Sequence, residues 1–201
     1  METQDFVRQY LEEMVVIARE SDRGALTRFI DVLFAAWRAG NTVFTCGNGG
    51  SAGTAAHLAA DLAKYTACAG KPRLRALSLC DNVPLLSALT NDEGFDQIYS
   101  WQLESLMRPG DVLVAISVHG GKGADKAGAW SQNLLRALHY AKQHGGTVLG
   151  LAGFDGGALR EMADVCVVVP ARSTPHVEAF HVCYHHMIAE RLRALIAEAA
   201  V

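Results

Sequence analysis

No block of lysine or arginine occurs anywhere in the 201 residues, and the formal net charge is −3 at pH 7. Bulk electrostatic attachment to nucleic acid, which draws on many phosphate contacts at once, is therefore not expected. A small acidic metabolite needs only a local positive site. No stretch reaches the ~18 uninterrupted apolar residues of a membrane-spanning helix. Met1 leads into TQDFVRQYLEEM, not into a basic segment followed by an apolar one. The five cysteines, Cys46, Cys68, Cys80, Cys166 and Cys183, are odd in number and scattered, with no CxxC pair, which argues against a disulfide framework and against a zinc knuckle. These absences point to a cytoplasmic, reduced protein with neither nucleic acid nor membrane as a partner. Repeats, low-complexity tracts and linkers are missing too, so one domain over 1–201 is the expected organisation.

What is present is a chain that is 50 % hydrophobic, enough for the core of one ordinary domain. Residues 3–20 and 24–38 carry apolar side chains at helical spacing, as in Phe6, Tyr10, Met14, Ile17 and then Leu26, Phe29, Ile30, Leu33, Trp37. After these two helices come TVFTCG (42–47), LRALSL (74–79), DVLVAIS (111–117), TVLGLAG (147–153) and DVCVVVP (164–170). Each is a nearly continuous apolar run, as parallel strands covered on both faces require. Helical stretches separate them at roughly 51–64, 83–107, 125–143 and 156–162, and a last helix runs from about 175 to 199. The expectation is an α/β fold: a doubly wound, mainly five-stranded parallel sheet with two added N-terminal helices (1–40).

Ligands of such sheets bind at the carboxyl ends of the strands. That places CGNGGS (46–51), SLCDN (78–82) and SVHGGKG (117–123) along one edge. Gly47, Gly49 and Gly50 permit close backbone approach, Asn48 and Ser51 offer side-chain hydrogen bonds, and the helix that follows has its N-terminus there. A phosphate suits this loop. The loop is neither GxGxxG nor a Walker loop, since no GK[ST] follows.

Taken in order, CGNGGSAGTAAHLAADL, ALSLCDNVPLLSALTNDEGFD, GDVLVAIS, LAGFDGG and PHVEAFHVCYHH resemble the sugar isomerase (SIS) domain family, most closely its phosphoheptose (sedoheptulose 7-phosphate) isomerases. The resemblance spans nearly the whole chain. It implies a flavodoxin-like SIS fold, ketose–aldose isomerisation of a sugar phosphate, a zinc ion in each subunit and a homotetramer built partly by the N-terminal helices. By position, His57 matches the family's metal-binding histidine, Asp61 a catalytic glutamate, Glu178 a glutamine and His186 a second catalytic histidine. The implied metal set is His57, Asp61, Glu178 and His186, and the implied catalytic residues are Asp61, His186 and Glu178. Asn48, Gly49, Gly50, Ser51, Asp92 and Ser117 fall on substrate-binding positions.

The residues carry part of this by themselves. His57 and Asp61 are four apart and share a helical face, where an imidazole and a carboxylate approach one ion. A lone histidine in an alanine-rich helix is more often packed than catalytic, so the resemblance decides that reading. On the last helix, spacing alone pairs Glu178 with His181 or His185; family position selects His186, with His185 the nearest competitor. Two departures stand out. Where the family has the hydroxyl-rich STSGNS, this chain has SVHGGKGADKAGAWSQN, which keeps Ser117 and offers His119, Lys122 or Lys126 to an anion. The family's arginine just past the catalytic acid is missing, with Lys64 and Tyr65 nearby. Phe95, Tyr99 and Trp101 read as core or subunit interface, and Cys46 as an inert buried thiol. Two other functions fit the same fold: a non-enzymatic relative that binds a replication initiator, and a sugar-phosphate-sensing regulator. The first lacks the acid at 61 and the histidine at 186, both kept here, and the second needs a DNA-binding extension. An isomerase of a different anionic sugar is the remaining alternative.

Overall fold

The apolar runs form five parallel strands, β1 (Thr42–Gly47), β2 (Arg75–Ser78), β3 (Val112–Ser117), β4 (Thr147–Ala152) and β5 (Val165–Val168), in one sheet of order β2-β1-β3-β4-β5. This computed structural model describes residues 1–121 and 131–200. Alternation along β3 shows why the runs are apolar throughout. Val112, Val114 and Ile116 enter one core layer, and Leu113 and Ala115 enter the other. The first layer lies beneath α2 (Arg23–Ala39), α3 (Gly50–Ala60) and α8 (Thr174–Glu198); the second lies beneath α4 (Val83–Asp92), α5 (Ser100–Leu106), α6 (Gln132–Gln143) and α7 (Gly157–Met162). Cys46 is fully buried in the second layer, and burial pushes its thiol well up, so it is inert.

In-register pairing aligns the carboxyl ends. Thr45 pairs with Ser78, Gly47 with Ile116 and Ser117 with Ala152, which puts the three expected loops along one edge. No described helix is long and apolar enough to cross a membrane.

Two expected helices are corrected. The stretch 83–107 is broken by Gly94, whose φ of 96° only glycine adopts cheaply. Its N–H closes α4 onto the Leu89 carbonyl (3.0 Å), and a 3-10 turn at Phe95–Gln97 leads into α5. Helix α6 begins at Gln132. Residues 125–130 of the expected helix, with Lys126, and Lys122 in the loop before it lie outside the described residues. The stretch 51–64 begins as α3 and finishes as a π turn, Asp61–Tyr65.

The N-terminal helices divide the work between them. Helix α2 buries seven side chains, from Ala25 to Trp37, so its stripe is used within the chain. Helix α1 (Thr3–Glu20) buries only Ile17 and leaves Phe6, Val7, Leu11, Val15 and Val16 exposed. It is held near its middle, where Tyr10 stacks on His176 at 4.1 Å, and just beyond its C-terminus, where Ser21 hydrogen-bonds the Tyr184 hydroxyl at 2.5 Å.

On the core side of α8, His181 is 1 % exposed. Burial pushes its imidazole down to about 4, opposed by the Ala152 carbonyl. The folded chain therefore keeps His181 neutral at pH values where the unfolded chain, at its ordinary 6.5, takes up a proton. Stability from this group is complete above the unfolded value and is lost as pH falls toward the folded one. We expect the urea midpoint of chelator-treated protein to drop across that window, and to drop less in His181→Leu. A flat wild-type profile, or equal slopes in the two proteins, contradicts the assignment.

Candidate active site

The site is built at both ends of α3. At its start, β1 runs straight into the glycine loop. A Cβ on Gly47 would lie 2.5 Å from the Ser51 carbonyl, and Gly49 has φ +58°, so the tight entry needs both glycines. The Ser51 N–H turns back on the Asn48 carbonyl (3.1 Å) and that of Ala52 on the Gly49 carbonyl (3.0 Å). Asn48 is fixed by a reciprocal amide pair: its Nδ2 donates to Asn133 Oδ1 (3.0 Å), and Asn133 Nδ2 donates to Asn48 Oδ1 (2.8 Å). The buried Tyr99 hydroxyl donates to the Gly47 carbonyl. Tyr99 is thus core, as expected, yet it also pins the loop. Asn133 gave no signal in the sequence, because its partner is 85 positions away.

Beside the loop opens a cavity of about 800 Å³, walled by Gly47, Asn48 and Gly49 on one side and by Ser87, Thr90, Asn91 and Phe95 on the other. Its size and mixed lining suit a polar small molecule. Phe95 therefore lines a cavity and is not core. Ser51 is buried under the loop. Asp92 is exposed at the end of α4, where it accepts from Asn91 Nδ2 at 2.7 Å. Ser117 Oγ accepts from the Gly121 N–H (3.0 Å) and keeps its own proton to donate. The His119 ring lies against Phe154 at 4.2 Å.

At the other end of α3 the helix widens into its π turn at Asp61, a feature often found at functional sites. Three imidazoles surround that carboxylate. Asp61 Oδ2 is 3.7 Å from His57 Nε2, 3.4 Å from His185 Nε2 and 3.6 Å from His186 Nε2. The side chains of His57 and His186 are each 52 % exposed, and that of His185 is fully buried. Burial pushes the His185 imidazole down to about 4, and its neighbours His186 and His57 add to this, while Asp61 opposes it. One ligand atom from each of the four residues lies within 4.8 Å of the others, a group that could hold a metal ion. Adjoining it is a cavity of about 300 Å³ lined by Asp61, Tyr65, His186, Ala189 and Glu190. Where the family's arginine is missing, Arg193 of α8 lies 5.2 Å over the Tyr65 ring and donates to its carbonyl at 2.9 Å.

The structure thus brings together His57, Asp61 and His186 of the expected metal set, with His185 as the fourth member of the cluster. Glu178 stands elsewhere. A Cβ on Gly50 would lie 2.6 Å from Glu178 Oε1, so the carboxylate rests against the start of α3. Two helical turns separate Glu178 from the two histidines on α8, about 10 Å along the axis.

A family model described as SIS domain matches residues 5–153. Lincomycin biosynthesis protein LmbN of Streptomyces lincolnensis is 43 % identical over 186 residues, which are 90 % of this chain and 66 % of that longer protein. A phosphoheptose isomerase of Rhodospirillum rubrum is 40 % identical over 164 residues, 82 % of each chain. Among solved structures, the phosphoheptose isomerase GmhA of Neisseria gonorrhoeae superposes with a TM-score of 0.84 at 28 % identity, over 96 % of this chain and all of that one. Agreement of this length in both sequence and fold makes the assignment: the chain belongs to the SIS-domain family, in its phosphoheptose isomerase subfamily.

Proposed function

We propose that this isomerase interconverts a ketose phosphate and an aldose phosphate, with sedoheptulose 7-phosphate and glycero-manno-heptose 7-phosphate as the pair, by metal-assisted proton transfer through an enediol. The observation that carries the reading is the meeting of Asp61 with His186, 3.6 Å apart, beside a cavity. Moving a carbonyl from C2 to C1 requires a base to carry a proton between the two carbons and a second group to exchange protons with the two oxygens. Asp61 takes the C1 proton; the C–H electron pair forms the C1=C2 bond, and O2 takes a proton from His186. Return of a proton to C2, with loss of the O1 proton to His186, gives the aldose. The family's glutamate reaches one methylene further than Asp61, so the shorter side chain relies on the π turn to present it.

Zinc is the proposed metal, one per subunit. The donor chemistry fits, since imidazole and carboxylate suit a borderline cation and the ligand atoms of the cluster already converge. When bound by His57, Asp61 and His186, the ion would polarise the carbonyl and stabilise negative charge on the enediol oxygens. The phosphate is assigned to the glycine loop, with Asn48, Gly49, Gly50, Ser51 and the Ser117 hydroxyl around it and His119 and Asp92 at the rim. The common edge of β1 and β3 supports that grouping. Glu178, at the same end of α3, is placed beside the sugar chain and not among the proton-transfer pair.

The protein is proposed to be cytoplasmic, in keeping with five free cysteines. A homotetramer is proposed because α1 carries an exposed apolar stripe that nothing in its own chain covers among the described residues.

Two measurements test this. Asp61→Asn and His186→Asn each should lower kcat on sedoheptulose 7-phosphate by roughly 10²-fold or more with folding intact, the usual share of a general acid or base. Unimpaired variants would reject the residue assignment. Light scattering during gel filtration should give four chains per particle, and Leu11→Glu on α1 should dissociate it. A stable, fully active monomer contradicts the assembly.

A further inference from the structure

We propose that His185 is a metal ligand, completing a three-imidazole set with His57 and His186, and that Glu178 is not a ligand to the ion held by its own chain. This rests on the metal-assisted reading above and changes which residues serve it. Four observations converge on His185.

Its side chain is fully buried, yet both ring nitrogens lack a hydrogen-bond partner. Buried polar nitrogens are nearly always satisfied; His181 shares this open pair but belongs to no ligand group among the described residues, so at His185 the open pair counts together with where its Nε2 points. The Nε2 atom points into the cluster, 3.4 Å from Asp61 Oδ2. The separations of 3.4, 3.6 and 3.7 Å from that oxygen to the three Nε2 atoms are close to a tetrahedral edge, about 3.4 Å for zinc bonds of roughly 2.0–2.1 Å. The three rings meet edge to face, with centroids 4.6 Å apart for His57 and His185, 4.9 Å for His57 and His186 and 4.1 Å for His185 and His186. They converge without stacking.

Glu178 cannot substitute. It precedes His185 by seven residues on one continuous helix, about 10 Å along its axis, and its carboxylate sits against Gly50. Three imidazoles alone make a sufficient protein ligand set for zinc, as in catalytic sites that keep a fourth position open. Asp61 Oδ2 stands at the fourth corner, the one that catalytic zinc sites keep exchangeable, so its carboxylate would be the ligand that leaves the ion to take a proton. His185 closes the site from the core side, while the half-exposed His57 and His186 leave its outer side accessible.

The test is zinc and cobalt binding by the full chain, read by competition with a chromophoric chelator and by the visible spectrum of the cobalt form. His185→Leu should weaken zinc by at least ~100-fold, beyond the roughly 10–100-fold cost of losing an outer-shell partner, and alter the cobalt spectrum. Glu178→Ala, which removes every donor atom at that position, should bind both ions like wild type; a loss as large as that in His185→Leu overturns the exclusion of Glu178. X-ray absorption of zinc-loaded wild type should count three imidazoles, a readout independent of whether His185→Leu folds. Unchanged binding in His185→Leu, or two imidazoles in the absorption spectrum, overturns the ligand assignment and leaves metal-assisted isomerisation standing. Wild-type protein that binds neither ion overturns both.

Discussion

The side-by-side packing of α3 and α8 on one face of the sheet is the constraint on which the site depends. Both helices bury apolar stripes in the same layer, Ala55 and Leu58 from α3 and Val177, Phe180, Tyr184, Ile188 and Leu192 from α8. Because they run in the same direction, position along one fixes the partner on the other. The start of α3 meets Glu178, and its end meets His185 and His186. Burial of the apolar stripes is the force, and alignment of the polar residues is its consequence. A slip of one turn would separate Asp61 from both histidines.

Electrostatics then follows from depth. The same α8 that anchors the core carries His181 and His185 inward, where burial keeps both neutral. A neutral imidazole presents a lone pair to a cation, which a protonated one does not. His186, one residue further, turns half outward beside the smaller cavity. One helix thus supplies core packing, a buried imidazole and a half-exposed one at successive depths.

Much of the fold was legible in the sequence because parallel strands buried on both faces leave unbroken apolar runs, and all five were placed within a residue or two. The break at Gly94 was not, since Leu85, Leu86 and Leu89 continue an apolar pattern towards Ile98 and Leu103 that periodicity alone reads as one helix. In the site, four-residue spacing put His57 and Asp61 on one face, which survives in any helix, but the family resemblance was needed to read them as more than packing. Which of Glu178, His185 and His186 stand near Asp61 was not legible. It depends on which face of α8 meets α3, and on a π turn that no spacing rule announces. Asn133 was invisible for another reason: its hydrogen bonds to Asn48 cross from α6 to the end of β1, a purely tertiary pairing.

In the proposed reaction a carboxylate and an imidazole, held together by these two helices, move a proton between neighbouring carbons of a sugar phosphate. Nuclear magnetic resonance of zinc-supplied wild-type protein with sedoheptulose 7-phosphate in deuterium oxide tests this directly. The expected product is an aldose heptose phosphate carrying deuterium at C2. Absence of product and of exchange, with this and every other C5 to C7 ketose phosphate, would contradict it.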